Sequence, residues 1–281
     1  MVKEKKSRVL KIITFFLTRF IFIGSFIISI FNGDYLTAFQ CLTALAVFAL
    51  KDLIYHRFDI EFPRGFEIAI IIFVFASVFF GEMNDYFAKV PFWDKALHTT
   101  SGFLIAAIGF SLIDLLNKNK RTLVHLSPFF EATFAFCFSM TMLVLWEFFE
   151  FGVDYFFLED MQADYFVTQF SSKIAYGTLK GTHITDISKV IIEYGGGKEL
   201  VLDAYIDIGN KDTMIDLIVG ACGALVFSLI GFFALRRSSK ALRVVDNFVI
   251  KKKGTENIFD EASEMIEAEG SENIEKKNKD T

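Results

Sequence analysis

Proline is almost missing from this chain, with three in 281 residues. That scarcity excludes a turn-rich β architecture and suits long uninterrupted helices. Cysteine is equally sparse. Cys41, Cys137 and Cys222 all fall inside apolar runs without metal-ligand spacing, which excludes a disulfide scaffold and leaves them as packing residues. No basic cluster exists either: 29 Lys and Arg against 34 Asp and Glu give a net charge of -5, with the cations dispersed. A nucleic-acid partner is therefore excluded. No internal repeat of the kind that marks many transporters is visible.

Apolar bulk is what the chain has in excess. It is 53% hydrophobic and carries 36 Phe, read as lipid-facing bulk without a cofactor role. Stretches near the length that crosses about 30 Å of hydrocarbon recur six times. They run over residues 10–31, 35–54, 66–84, 95–116, 129–152 and 213–235. The second and third have short uncharged cores, so a tilted or re-entrant arrangement stays open for them. The basic start MVKEKKSR before the first span resembles a signal peptide. The run is long, Arg19 interrupts it and no small-residue cleavage site follows, so an uncleaved anchor is expected.

Short loops set the expected orientation. Lysines and arginines precede the first span, lie between the second and third (Lys51, Arg57, Arg64) and between the fourth and fifth (Lys118, Lys120, Arg121), and follow the sixth (Arg236, Arg237, Lys240, Arg243). The alternate loops are poor in them. The positive-inside rule then puts both termini in the cytoplasm. The expected organisation is a basic cytoplasmic start at 1–9, five spans within 10–152, an extracytoplasmic segment at 153–211, the sixth span at 212–235 and a charged cytoplasmic tail at 236–281. In the external segment KVIIEY, the GGGKE turn and the period-two run Leu202–Ile208 predict a β-hairpin, either a binding surface or a cap. The stretch from 244 onward lacks a core, apart from an amphipathic stripe at Ile258, Phe259, Ala262, Met265 and Ile266. The fold class is an all-α membrane protein of about six helices with a small extracytoplasmic β-hairpin.

Ionisable groups are expensive at membrane depth, so clustered ones mark a candidate site. Six of them form three close pairs: Asp94/His98, Glu147/Glu150 and Asp212/Asp216. Spacings of three or four residues put each pair on one helical face. With the expected topology all three pairs lie at one depth, near the outer interface. Ser101, Gly102, Gly220 and Gly223 beside them are small enough to let helices approach closely. Asp94 and Asp212 are equally well placed as N-caps. Glu67 and Glu131 suit helix starts. Arg19 serves either as a counter-charge to internal carboxylates or as a snorkelling side chain.

Packed carboxylates cannot all ionise without something positive among them. Three solutions stay open: a divalent metal such as Zn or Mn, shared protons forming a relay, or an ion-pair network with Arg19 and Lys95 that fixes the bundle. In the metal reading Asp94, His98, Glu147 and Asp212 are the ligands and Glu150 or Asp216 is the general base. Arg19, Lys95 and Ser101 are then the candidates for contacting substrate.

The elements DKALHTTSG, WEFFEF and DTMIDLIVGACGA, with GEMNDYFAKVPFWDK before the first, resemble the YjdF-type inner-membrane proteins. The resemblance covers roughly residues 66–235. It implies a bacterial multipass protein of the inner or plasma membrane, with Asp94, His98, Glu147, Glu150, Asp212 and Asp216 at the matching positions. A more distant likeness to VanZ-like proteins implies a cell-envelope setting. The expected function is binding of an ion or of a lipid or cell-wall headgroup at the polar cluster, with membrane lipid as partner. A metal-dependent hydrolase or transferase on an envelope lipid, and a proton- or cation-coupled transporter, are the alternatives. The oligomeric state is not legible.

Overall fold

The computed structural model describes residues 2–117, 126–173, 182–236 and 238–254. Among the described residues, six helices are long and apolar enough to cross a membrane. Helix α1 (Val2–Asn32) stops where Gly33 turns the chain at a φ of +75°. Asp34 then caps α2 (Tyr35–Phe58), its carboxylate accepting from Thr37 N at 3.1 Å. After β1 (Ile60–Glu61), Pro63 fixes the entry to α3 (Arg64–Val74). That helix continues as a π-helix over Phe75–Glu82. The short α4 (Tyr86–Lys89) leads into α5 (Trp93–Asn117). Next come α6 (Pro128–Phe157) and six short strands, β2 to β7. Finally α7 (Asn210–Leu235), α8 (Ser239–Val245) and β8 (Lys251–Lys252) complete the order.

Five of the helices extend the expected span by a few residues, because polar first and last turns are invisible to an apolar window; the third, Arg64–Glu82, is instead shifted two residues toward the N-terminus. Arg64–Glu82 and Tyr35–Phe58 are both long enough to cross, so the two weak stretches are full-length helices. Phenylalanines such as Phe16, Phe20 and Phe31 stay 65%, 77% and 86% exposed, as side chains facing lipid do.

The chain divides into two compact units, residues 1–140 with 220–281 and residues 141–219. In the first unit, Phe22, Cys41, Ala44, Phe48, Val74 and Val78 form one apolar cluster. A second is centred on Ala106, Ala107, Phe110, Ala135 and Phe227. Here α5 and α7 run parallel: Gly102 lies on Gly220 and Ala224, and further along Gly231 lies on the Phe110 ring. Helix α6 runs antiparallel to α5, with Ala135 beside Gly109 and Ser139 Oγ donating to the Gly102 carbonyl at 2.9 Å.

The stretch after α7 differs from the coreless tail the sequence implied. Val245 and Val249 are fully buried and Ile250 nearly so. β8 pairs with β1, Glu61 opposite Lys251. The amphipathic stripe at 258–266, like Lys118, Lys120, Arg121 and Arg237, lies outside the described residues.

In the second unit the expected hairpin is present but shorter. β5 (Val190–Tyr194) pairs with β6 (Lys198–Leu202) across Gly195–Gly197. The alternation continues past Leu202, but the strand does not. β7 (Tyr205–Asp207) turns away and pairs with β2 (Tyr165–Val167). β3 (Phe170–Ser172) pairs with β4 (Thr182–Ile184). Three strand pairs therefore stand among the described residues of this unit, where one hairpin was expected.

Candidate functional site

In the first unit the start of α5 is fixed from the side. The Trp93 indole donates at 3.1 Å to the carbonyl of Ala76, in the π-helical continuation of α3. Tyr86 stacks edge-on against Trp93 at 4.9 Å. One residue further, Asp94 sits in the first turn of α5, where the helix dipole favours a carboxylate. Its Oδ1 lies 3.5 Å from His98 Nε2 and its Oδ2 accepts from Lys95 Nζ at 2.9 Å. His98 is buried, and its carbonyl accepts from Ser101 Oγ at 2.9 Å. Asp94 therefore joins Lys95 and His98, and Ser101 ties to the backbone of His98.

Arg19 stands elsewhere in this unit. Its guanidinium is 2.5 Å from Asp52 on α2 and lies over the Phe15 ring at 3.5 Å. Lys51 continues the network, 3.8 Å from Asp52 and 3.1 Å from Glu67 on α3. The counter-charge reading of Arg19 thus finds an internal carboxylate, though it is one the sequence did not single out. Glu67 opens α3 as expected and contributes to the same network.

In the second unit the last turns of α6 carry Glu147 and Glu150, both buried. The Trp146 indole donates to Glu150 Oε1 at 2.7 Å. Asp154 lies on the same stripe, four residues beyond Glu150. Its two oxygens accept from the amides of Met161 and Gln162 at 2.6 and 2.8 Å. The chain is thereby folded back over the start of α7. Gln162 Nε2 donates to Thr213 Oγ1 at 2.5 Å, and Ala163 N donates to Asp212 Oδ2 at 2.9 Å. Asp212 and Asp216 are 2% and 1% exposed, in the first two turns of α7. Both Asp94 and Asp212 stand inside their helices, so neither is the N-cap that the sequence offered as an alternative.

Acidic groups gather around this fold-back. Partial desolvation, then the charges of Asp154 and Asp212, push the Asp160 carboxyl above its ordinary 3.8. Asp164 is raised in the same way, by desolvation and then by Asp160, Asp154 and Asp207. Asp154 is not among the three pairs that spacing singles out. Its signal was available, because it extends the Glu147/Glu150 face by one more turn.

Long apolar helices with lipid-exposed phenylalanines, and with charges confined to their ends and inner faces, define a multipass helical membrane protein. Residues 13–237 match the family described as "Predicted membrane protein (DUF2238)", and the chain belongs to that family. The membership agrees with the YjdF-type resemblance; the VanZ likeness stays a resemblance. No curated protein and no solved structure matches the chain.

Proposed function

We propose that this is an integral protein of the bacterial envelope membrane whose Asp94, His98, Glu147, Glu150, Asp212 and Asp216 act together in binding a cation near the outer interface. The observation that carries this is the helix register inside the first unit. Parallel contacts of Gly102 with Gly220 and of Phe110 with Gly231 offset α5 from α7 by about 120 residue numbers. On α5 Asp94 and His98 precede Gly102 by one to two turns, and on α7 Asp212 and Asp216 precede Gly220 by the same number of residues. On α6 Glu147 and Glu150 follow Ser139, whose hydroxyl meets the Gly102 carbonyl, by two to three turns. That matched spacing supports a shared site, since lipid cannot solvate these groups and each must find polar company inward.

The donor set favours a cationic ligand. Five carboxylates with one imidazole suit a divalent metal of the Mn or Zn type, and the same carboxylates would suit the ammonium of a lipid or cell-wall headgroup. Lys95 supplies one positive charge beside Asp94, which is too little to neutralise all five. The flanking lysines and arginines of the opposite helix ends support the outward orientation.

Metal analysis of detergent-purified protein tests the reading. Close to one equivalent of bound transition metal is expected for the wild type, and a loss of at least tenfold in His98→Ala. Folded protein that takes up neither metal nor an amine headgroup would overturn it.

A further inference from the structure

The chain that follows α7 is fastened to the first unit at five points. Leu242 and Val245 turn the inner face of α8 into the core, while Lys240 and Arg243 face outward. Phe248 packs on Phe103 at 5.3 Å. Ile250 N donates to the buried Ser111 Oγ at 2.8 Å, and Lys253 N to the Asp59 carbonyl at 2.7 Å. Phe66 N donates to the Asn247 carbonyl at 2.9 Å, so close to Gly65 that a Cβ there would stand 2.6 Å from that oxygen. Together with the β1–β8 pair, these bonds gather cations that are far apart in sequence. Arg57 and Arg64 flank β1, Lys240 and Arg243 lie on α8, Lys252 lies on β8 and Lys253 directly follows it; all six are exposed. Asp59, Glu61 and Asp246 oppose them along these elements, and Asp246 is engaged by Lys251 at 3.6 Å.

We propose that this basic collar, built by the returning segment 239–253, binds the anionic phospholipid headgroups of the leaflet at that end of the helices. Position selects the partner. α2 ends at Phe58, α3 begins at Arg64 and α7 ends at Leu235, so the collar starts where the apolar helices stop. At that level the available anions are lipid phosphates. Lysines and arginines there contribute independently of any cation site at the other helix ends. Fixing them on a packed scaffold removes part of the ordering cost that a loose basic tail would incur on binding.

The test uses the full chain in nanodiscs of phosphatidylcholine with phosphatidylglycerol, with retained lipid counted by native mass spectrometry. Phosphatidylglycerol is expected to be enriched over its bulk ratio. The triple variant Lys240→Gln, Arg243→Gln, Lys252→Gln should bring the ratio down to bulk, at about fivefold in affinity per cation removed. Raising NaCl to about 0.5 M should do the same, because screening shortens to a few ångströms. Melting in pure phosphatidylcholine establishes that the variant folds; Arg57→Gln with Arg64→Gln gives a second reading from another element. Bulk-like retention by the wild type, enrichment indifferent to both variants, or displacement by millimolar inorganic phosphate would each overturn the proposal.

Discussion

Gly102 of α5 rests on the backbone carbonyl of Gly220 in α7, and Gly223 in turn rests on the carbonyl of Thr99. A Cβ at either glycine would overlap the facing oxygen, so two helices meet here backbone to backbone. In lipid such close approach replaces the hydrophobic effect as the source of association, through dispersion and close dipoles.

Gly102→Ala and Gly223→Ala should each therefore cost about 1–3 kcal/mol, since the added methyl meets backbone that cannot rotate away. Gly152→Ala, where a Cβ would meet nothing within 4 Å, is the control and should be close to neutral. Thermal melts in detergent decide the matter. Equal melting temperatures for all three variants would contradict the packing described.

Arg19 and Asp52 form an ion pair between α1 and α2, with side chains 21% and 32% exposed. Removing Asp52 leaves the Arg19 charge without its carboxylate, and removing Arg19 leaves Asp52 only the more distant Lys51 of this network, whereas removing both leaves neither charge behind. Arg19→Met and Asp52→Asn should each cost about 1–3 kcal/mol, and the double variant less than their sum. Additive losses in a double-mutant cycle would show that the two groups do not interact.

Asp160 and Asp164 carry raised carboxyl pKa values in the folded chain. In such a pair the native state holds protons more tightly than the unfolded state. Stability is therefore lost as pH rises above the unfolded value near 3.8, and the penalty is complete once pH exceeds the folded values. Asp160→Asn and Asp164→Asn should stabilise the 141–219 unit at pH 7. The gain should shrink as pH falls toward 3.8. Amide exchange of the fold-back at Met161, Gln162 and Ala163, compared with the wild type at each pH, follows this locally; a slowing by the variants that is larger at pH 4 than at pH 7 would reverse the sign and refute the assignment.

Much of the helical frame is legible in the sequence because lipid imposes one rule on every span, and apolar runs report it directly. The glycines at 102, 220 and 223 were legible for the same reason, as small residues beside a polar face. Asp52 was not, since a single carboxylate in a weak span carries no mark of the arginine 33 positions earlier. The returning segment was hidden by its own cations: Val245, Val249 and Ile250 are too few, and too closely interleaved with polar groups, to look like a core. Strand β7 was assigned to the wrong partner because period-two alternation tells which residues share a face, not which strand lies alongside. Asp94 and Asp212 looked like caps because helix starts cannot be located to one residue from sequence, and both helices begin one or two residues earlier.

The claim that matters most is cooperation between His98 on α5 and Glu147 on α6 in holding one cation. A double-mutant cycle on the Mn- or Zn-induced rise in melting temperature measures it directly. The account predicts that His98→Ala and Glu147→Gln each abolish the rise, and that combining them removes nothing further. A rise that survives either change, or losses that simply add, would contradict it.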